Sequence, residues 1–360
     1  MVNLINISIK QLMKNKTGKI YIFGASKRLK SYKNILPLYS LSEVADYIVD
    51  NDETKWGQNI LLDNIMYTII SPQQMIDNIS NQDKILIVSI HYEEIVNQLD
   101  SVSKLDGIGC YILDYIYAFN DAYIDIDYYE KCKGNKYYIP PVIHYCWFGG
   151  NPIPEEYVKY IATWKKKCPD YDILQWDESN YDVYKHPYIA KAYKDRKWAF
   201  VSDYARLDII YNYGGIYLDT DVELLKGLDE LRKFRVYFGF ESETYIATGL
   251  GFGAEKGHRL IEKFLKSYDD IEPGTYIPCP QIQSKDMEDI GLIRNNTFQY
   301  FDDGGIAVLP SEFLCPMEYR YRQLNITEET VSIHHYSGSW LDNILISEGK
   351  DKIKNRILRN

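Results

Sequence analysis

Between residues 198 and 221 an apolar, helix-periodic stretch runs up to Gly214-Gly215, and the short run Ile216-Tyr217-Leu218 then leads directly into Asp219-Thr220-Asp221. A helix stopped by glycine and followed by an apolar segment ending in acids fits an α/β sheet, whose strands deliver functional side chains at their C-terminal ends. Extended side chains alternate faces, so the spacing predicts that Asp219 and Asp221 project the same way. Two carboxylates aimed at one point, with no basic residue between them, repel each other unless a cation joins them. Oxygen-only ligation suits Mg²⁺ or Mn²⁺. The bare motif also fits a solvated pair of acids in a turn.

The chain of 360 residues is long enough for two domains, and 46% hydrophobic with 26% charged residues is ordinary for a globular protein. A formal charge of −10 argues against a general nucleic-acid binder, so any polyphosphate has to be held locally, through metal. The six cysteines show neither Cys-x-x-Cys spacing nor a neighbouring histidine pattern, and they are expected to be free thiols in a reducing cytosol. No signal-peptide pattern and no membrane-length apolar run is present in the sequence, which leads to the expectation of a cytoplasmic protein.

Strand and helix patterns alternate over residues 1–125, from KIYIFG through YIVDND and KILIVSI to GCYILDYIYA, and predict a small Rossmann-like α/β domain. Its first loop, Gly24-Ala25-Ser26-Lys27-Arg28-Leu29, keeps only the first glycine of a dinucleotide fingerprint. Asp50 stands near the position of a ribose-binding acid. Ser26 and Leu29 replace the glycines that let pyrophosphate approach and the helix pack, which argues against dinucleotide binding. Residues 126–137 are expected to be a linker. Pro140-Pro141 then marks the entry to a second α/β domain over 138–347, followed by a basic tail over 348–360.

In the 197–213 stretch Ala199, Asp203, Arg206 and Ile210 share one helical face, with the acid and the base one turn apart. A surface ion pair would contribute a few tenths of a kcal/mol, roughly. The apolar flanks favour a buried pair turned toward a polar ligand.

FVSDYARLDIIYNYGGIYLDTDVELL, with IPPVIHYCWFGGNPIP upstream and HHYSGSW downstream, resembles the core of the retaining glycosyltransferases of family 32, the capsular-polysaccharide and related sugar transferases with a DXD region. The likeness spans about residues 138–340, and the large clostridial glucosylating toxins are similar more distantly. The resemblance implies a GT-A type nucleotide-sugar-binding domain that holds Mn²⁺ or Mg²⁺ against the diphosphate of a donor, by default a UDP-sugar. It implies Asp221 as direct metal ligand, with Asp219 touching the metal shell and the donor. Tyr217 would line the pocket, Trp147 would stack on the nucleobase, and Asp203 and Arg206 would bind the sugar and phosphate side. His335 fits the C-terminal metal-ligand position, with His334 beside it as the alternative, and Trp340 would reach the terminal phosphate.

The implied activity is metal-dependent transfer of a hexose to a saccharide or lipid-linked glycan acceptor in bacterial polysaccharide or capsule synthesis, with retention of configuration. No carboxylate stands out in the sequence as a covalent nucleophile, which favours front-face entry of the acceptor. Gln281 fits either the acceptor side or an ordinary loop. A protein-directed transferase and a non-catalytic nucleotide-sugar scaffold are the alternatives. In the tail, Lys350, Lys352, Lys354, Arg356 and Arg359 surround Ile353, Ile357 and Leu358, which suits either a helix on an anionic membrane or a solvated end.

Overall fold

The structure, a computed structural model, describes residues 1–5, 7, 9–34, 39–116, 124–241, 245–317, 324–336 and 356. The chain divides into two compact units, Met1–Asp121 with Ser347–Asn360, and Ala122–Ile346. Both are α/β, as the alternating patterns require.

In the first unit the strands β1 (Asn3–Leu4), β2 (Ile20–Phe23), β3 (Tyr47–Val49), β4 (Asn59–Leu62), β5 (Ile65–Ile70), β6 (Lys84–Ile87) and β7 (Gly109–Ile112) form one sheet in the order β1-β7-β6-β2-β3-β5-β4. All pairings are parallel except the β4–β5 hairpin. Asp63 and Asn64 turn that hairpin with φ of 48° and 69°, the left-handed pair that a two-residue turn needs. Strand order reverses between β2 and β6, where Gly24 follows β2 with φ 123° and a Cβ would lie 2.5 Å from the Val88 carbonyl oxygen. Asp50 is engaged within its own loop region. Its carboxylate accepts the Ala25 N–H at 2.7 Å and the Asp52 N–H at 2.8 Å, and it pairs with Lys55 at 3.1 Å. Leu29 is buried in the core. In the expected basic tail, Arg356 pairs with Asp100 and donates to the Val2 carbonyl at 2.9 Å. The rest of 348–360 lies outside the described residues.

In the second unit, residues 126–137 are not a bare linker. Ile126–Cys132 forms a helix that Asp125 caps at 3.0 Å, and Tyr129 is buried among Phe234, Phe298 and Phe313. Aromatic burial outweighs the charged composition that made the segment read as a connector. The sheet that follows comprises β8 (Val142–Cys146), β9 (Asp172–Trp176), β10 (Gly215–Tyr217), β12 (Val236–Phe240), β13 (Ile246–Ala247), β14 (Phe252–Ala254), β15 (Gln299–Phe301) and β16 (Ile306–Leu309). Their order is β15-β16-β12-β14-β10-β8-β9, with β13 on β12. β8 pairs in parallel with β9 and β10, and β12 with β16, while β14 runs antiparallel between β10 and β12. The C-terminal ends of β8, β9, β10, β12 and β16 therefore open on one edge.

Side chains alternate between two apolar clusters: Val236, Phe238 and Phe240 join one, while Tyr237, Ile216 and Leu218 join the other. The helix Trp198–Tyr213 packs on the Tyr217 side and is buried along Val201, Ala205, Leu207, Ile209 and Ile210. It stops because Gly214 and Gly215 adopt φ of 69° and 108°, and a Cβ on Gly215 would lie 2.8 Å from His144 Nε2. A separate ribbon pairs β11 (Val222–Leu224) with β17 (Ser332–His334), Val222 facing His334. No described helix is long and apolar enough to cross a membrane.

Candidate functional site

Helix Trp198–Tyr213 and strand β10 join through two glycines, and this hairpin brings Arg206 to the acids. Arg206 is 4% exposed, and its Nη2 lies 3.1 Å from Asp203 Oδ1 and 3.2 Å from Asp219 Oδ1. The Tyr217 hydroxyl donates to the same Asp219 oxygen at 3.0 Å, and the guanidinium lies over the Tyr217 ring, 4.9 Å from its centroid. The buried pair that the helix pattern favours is thus a shared guanidinium between two carboxylates. Burial pushes the Asp203 carboxyl up to about 6 against the pull of Arg206. Burial raises Asp219 as well, with Arg206 opposing and the Asp221 charge adding to the rise.

Asp219 and Asp221 converge for a reason other than strand alternation. β10 ends at Tyr217, and the Val222 N–H donates to the Asp219 carbonyl at 3.1 Å, closing a turn over residues 219–222. The turn, not an extended segment, sets the spacing of the two acids. It also launches β11, whose pairing with β17 carries in a histidine from more than a hundred residues away.

That histidine is His334. Its Nε2 lies 3.3 Å from Asp221 Oδ1, and one ligand atom each from Asp219, Asp221 and His334 fall within 4.8 Å of one another. Burial disfavours the charged imidazole, but Asp221 and then Cys315 outweigh it and hold the group well above its ordinary range. His335 does not join the cluster. Adjacent strand residues face opposite ways, and its ring turns to Glu223 at 2.9 Å and stacks on Tyr160 with centroids 4.2 Å apart. Of the two histidines, His334 and not His335 is the one brought together with Asp219 and Asp221.

Trp147 follows β8 on the same edge as the acids. Its indole N–H donates to the Asn151 carbonyl at 2.6 Å, and the ring meets Tyr157 edge-on. His144, two residues before the end of β8, is a core residue. It engages the Gly214 carbonyl at 3.0 Å and accepts from Trp176 Nε1 at 3.1 Å, and burial pushes it down to about 4. Trp340 lies outside the described residues. Gln281 is exposed on the helix Cys279–Glu288, whereas Gln283 faces inward, 0% exposed, and donates to Thr248 at 3.0 Å.

Two further residues belong to the site. Glu241 follows β12 on the shared edge, its N–H bonded to the Tyr245 carbonyl at 2.8 Å. Burial raises its carboxyl, with His334 opposing and Asp203 and Asp219 adding. An acid ending an apolar strand, as in VYFGFE, is the same signal that marks Asp219. Gly249 packs its main chain against the Asp219 carboxylate, and its carbonyl accepts the Asp219 N–H at 3.3 Å. Four carboxyls thus gather around one guanidinium and one imidazole. Two carboxylates and an imidazole make a donor set that fits Mn²⁺ or a similar divalent ion, and the three ligand atoms are close enough to share it.

Residues 154–237 match the family model for the glycosyltransferase sugar-binding region containing the DXD motif. The chain is also 28% identical over 148 residues to a mannosyl phosphorylinositol ceramide synthase of Saccharomyces cerevisiae, covering 39% of this chain and 38% of the relative. It is 29% identical over 147 residues to inositol phosphoceramide mannosyltransferase 3 of Schizosaccharomyces pombe, covering 40% and 41%. The matches therefore span about two fifths of the length of these curated relatives. Among solved structures the PaToxG glycosyltransferase is similar with a TM-score of 0.39 and 19% identity over 46% of this chain and 74% of that one, a likeness that carries no inference. The DXD region so matched contains Asp203, Arg206, Tyr217, Asp219 and Asp221, and His334 and Glu241 lie beyond it.

Proposed function

We propose that the second unit is a metal-dependent glycosyltransferase of the family 32 type, moving a hexose from a nucleotide-sugar to a saccharide or lipid-linked acceptor in glycan synthesis. The convergence of Asp219, Asp221 and His334 within 4.8 Å at a sheet edge, beside the buried Arg206, carries this reading. A divalent ion held by those three residues would supply positive charge for the diphosphate of the donor. Arg206 fixes Asp219 through one carboxylate oxygen, and Tyr217 fixes the same oxygen. Asp203, buried beside Arg206, would bind the sugar side of the donor. Trp147 offers a half-buried ring at the neighbouring strand end for a nucleobase. Arg206 also stabilises the negative charge that appears on the leaving nucleotide as the glycosidic bond to phosphate breaks.

The relatives named as mannosyltransferases acting on inositol phosphoceramide favour a mannosyl donor and a lipid-borne acceptor. UDP-sugars stay in the panel of donors, and retention of configuration is part of the proposal. So is a cytoplasmic setting, where sugar nucleotides are made.

The test is nucleotide release by the purified chain from UDP- and GDP-sugars, with Mn²⁺, Mg²⁺ or EDTA, alongside Asp221→Ala. Metal-dependent turnover of one donor is expected. The variant should lose about 3 to 4 kcal/mol of transition-state stabilisation, as on removing a preorganised electrostatic group. Absence of both turnover and donor binding under every condition would leave a non-catalytic scaffold. An acceptor screen that labels a protein and no glycan would identify protein-directed transfer.

A further inference from the structure

Segment 248–251, Thr248-Gly249-Leu250-Gly251, connects β13 to β14 and is fully buried at the functional edge. At Gly249 an added Cβ would lie 2.5 Å from Asp219 Oδ2 and 3.1 Å from Arg206 Nη1, with Asp219 Cγ at 3.6 Å. The first distance is too short for any carbon to occupy. The clash is with the working end of the site, whereas Gly251, two residues on, has φ 120° and faces the apolar Leu218 side chain. Gly249 has no positive φ in this structure, so its backbone does not require glycine and the space does.

Asp219 is held at one oxygen. Its Oδ1 is held by Arg206 and by the Tyr217 hydroxyl, and Arg206 is held in turn by Asp203 and by the Ser202 carbonyl at 3.2 Å. A methyl group at 249 can be admitted only by swinging Oδ2 away, which breaks the Oδ1 contacts or turns the carboxylate from Asp221 and His334.

We infer that Gly249 is a positioning residue for the cation site: the absence of its side chain fixes the orientation in which Asp219 meets Asp221 and His334. This rests on the reading of those three residues as cation ligands. It adds that the main chain of the β13–β14 connection is a wall of that site, and that residue 249 limits which side chains the edge tolerates.

The experiment is a double-mutant cycle with Gly249→Ala and Asp219→Ala, read by Mn²⁺ binding and by thermal unfolding of the full chain without metal. In the native background Gly249→Ala should weaken Mn²⁺ binding at least about tenfold, the scale on which groups orienting a metal ligand act, and should lower the unfolding midpoint. In the Asp219→Ala background, where the blocking oxygen is gone and only the 3.1 Å approach to Arg206 Nη1 remains, the same substitution should lower the unfolding midpoint much less. A variant that folds only when Asp219 is also removed supports the inference most directly. Equal effects in both backgrounds, failure to fold in both, or native-background values within twofold for Mn²⁺ and unchanged in midpoint would overturn it. If the native chain binds no Mn²⁺, the cation reading fails, and the unfolding midpoints still decide whether Gly249 and Asp219 are coupled.

Discussion

His334 Nε2 stands 3.3 Å from Asp221 Oδ1 because two short strands, β11 and β17, pair Val222 with His334. The neighbouring imidazole of His335 turns the other way, to Glu223. His334→Ala should therefore weaken Mn²⁺ affinity by about 100-fold or more, since even groups that only orient a ligand typically account for 10–100-fold. His335→Ala should stay within about tenfold. Isothermal titration with Mn²⁺ separates the two, and the reverse ranking would return the ligand role to His335.

Arg206 is the cation shared by Asp203 and Asp219. Arg206→Ala leaves two buried carboxylates without it and should destabilise the protein by about 3–5 kcal/mol at pH 7.5. The deficit should shrink toward pH 5, because the Asp203 carboxyl, raised by burial to about 6, becomes neutral there. Urea denaturation at the two pH values checks this, and a deficit independent of pH would mean that lost packing, not charge, is responsible.

Glu241 follows the end of β12, with no basic side chain paired to it among the described ion pairs. Glu241→Gln removes a buried charge and keeps the shape. Folding stability should hold or rise by about 1 kcal/mol while donor turnover falls at least about tenfold, the trade between stability and activity typical of functional acids. Unchanged turnover would place Glu241 outside the reaction.

His144 makes stability depend on pH away from the candidate cation site. Its folded value is about 4 against an ordinary 6.5, so below pH 6.5 the unfolded chain takes up a proton that the folded chain refuses. The contribution is fully present above pH 6.5 and is lost as pH falls toward 4, about 2–3 kcal/mol between pH 7.5 and 4.5. His144→Gln should flatten the slope of unfolding free energy over that range. An identical slope in both proteins would show that His144 does not titrate there.

The chemistry was legible where it is local in the chain. Asp203, Arg206, Tyr217, Asp219 and Asp221 lie within 19 consecutive positions, and a helix period, a glycine stop and an apolar strand sufficed to group them. His334 against His335 was not legible, because the choice depends on the register of β17 against a strand a hundred residues earlier. Glu241 and Gly249 were hidden for a similar reason: both are brought in by β12 and β14 across the sheet, and a glycine displays its role only through what surrounds it. The helix Ile126–Cys132 was missed because it sits in a short, charged, tyrosine-rich stretch with no clear apolar period, while Tyr129, which docks it, finds partners far along the chain.

The glycine-jointed hairpin of helix Trp198–Tyr213 and β10 has a consequence for how the pocket comes into being. Arg206 and Asp219 are 13 positions apart, so their contact closes a short loop and can form early, whereas the imidazole arrives only when β17 docks on β11. The Arg206–Asp219 half of the candidate site is thus a local product of one supersecondary unit, and the His334 half is a long-range one. Mn²⁺ affinity measured during refolding would report the docking of β17 on β11 and should lag behind the burial of Arg206.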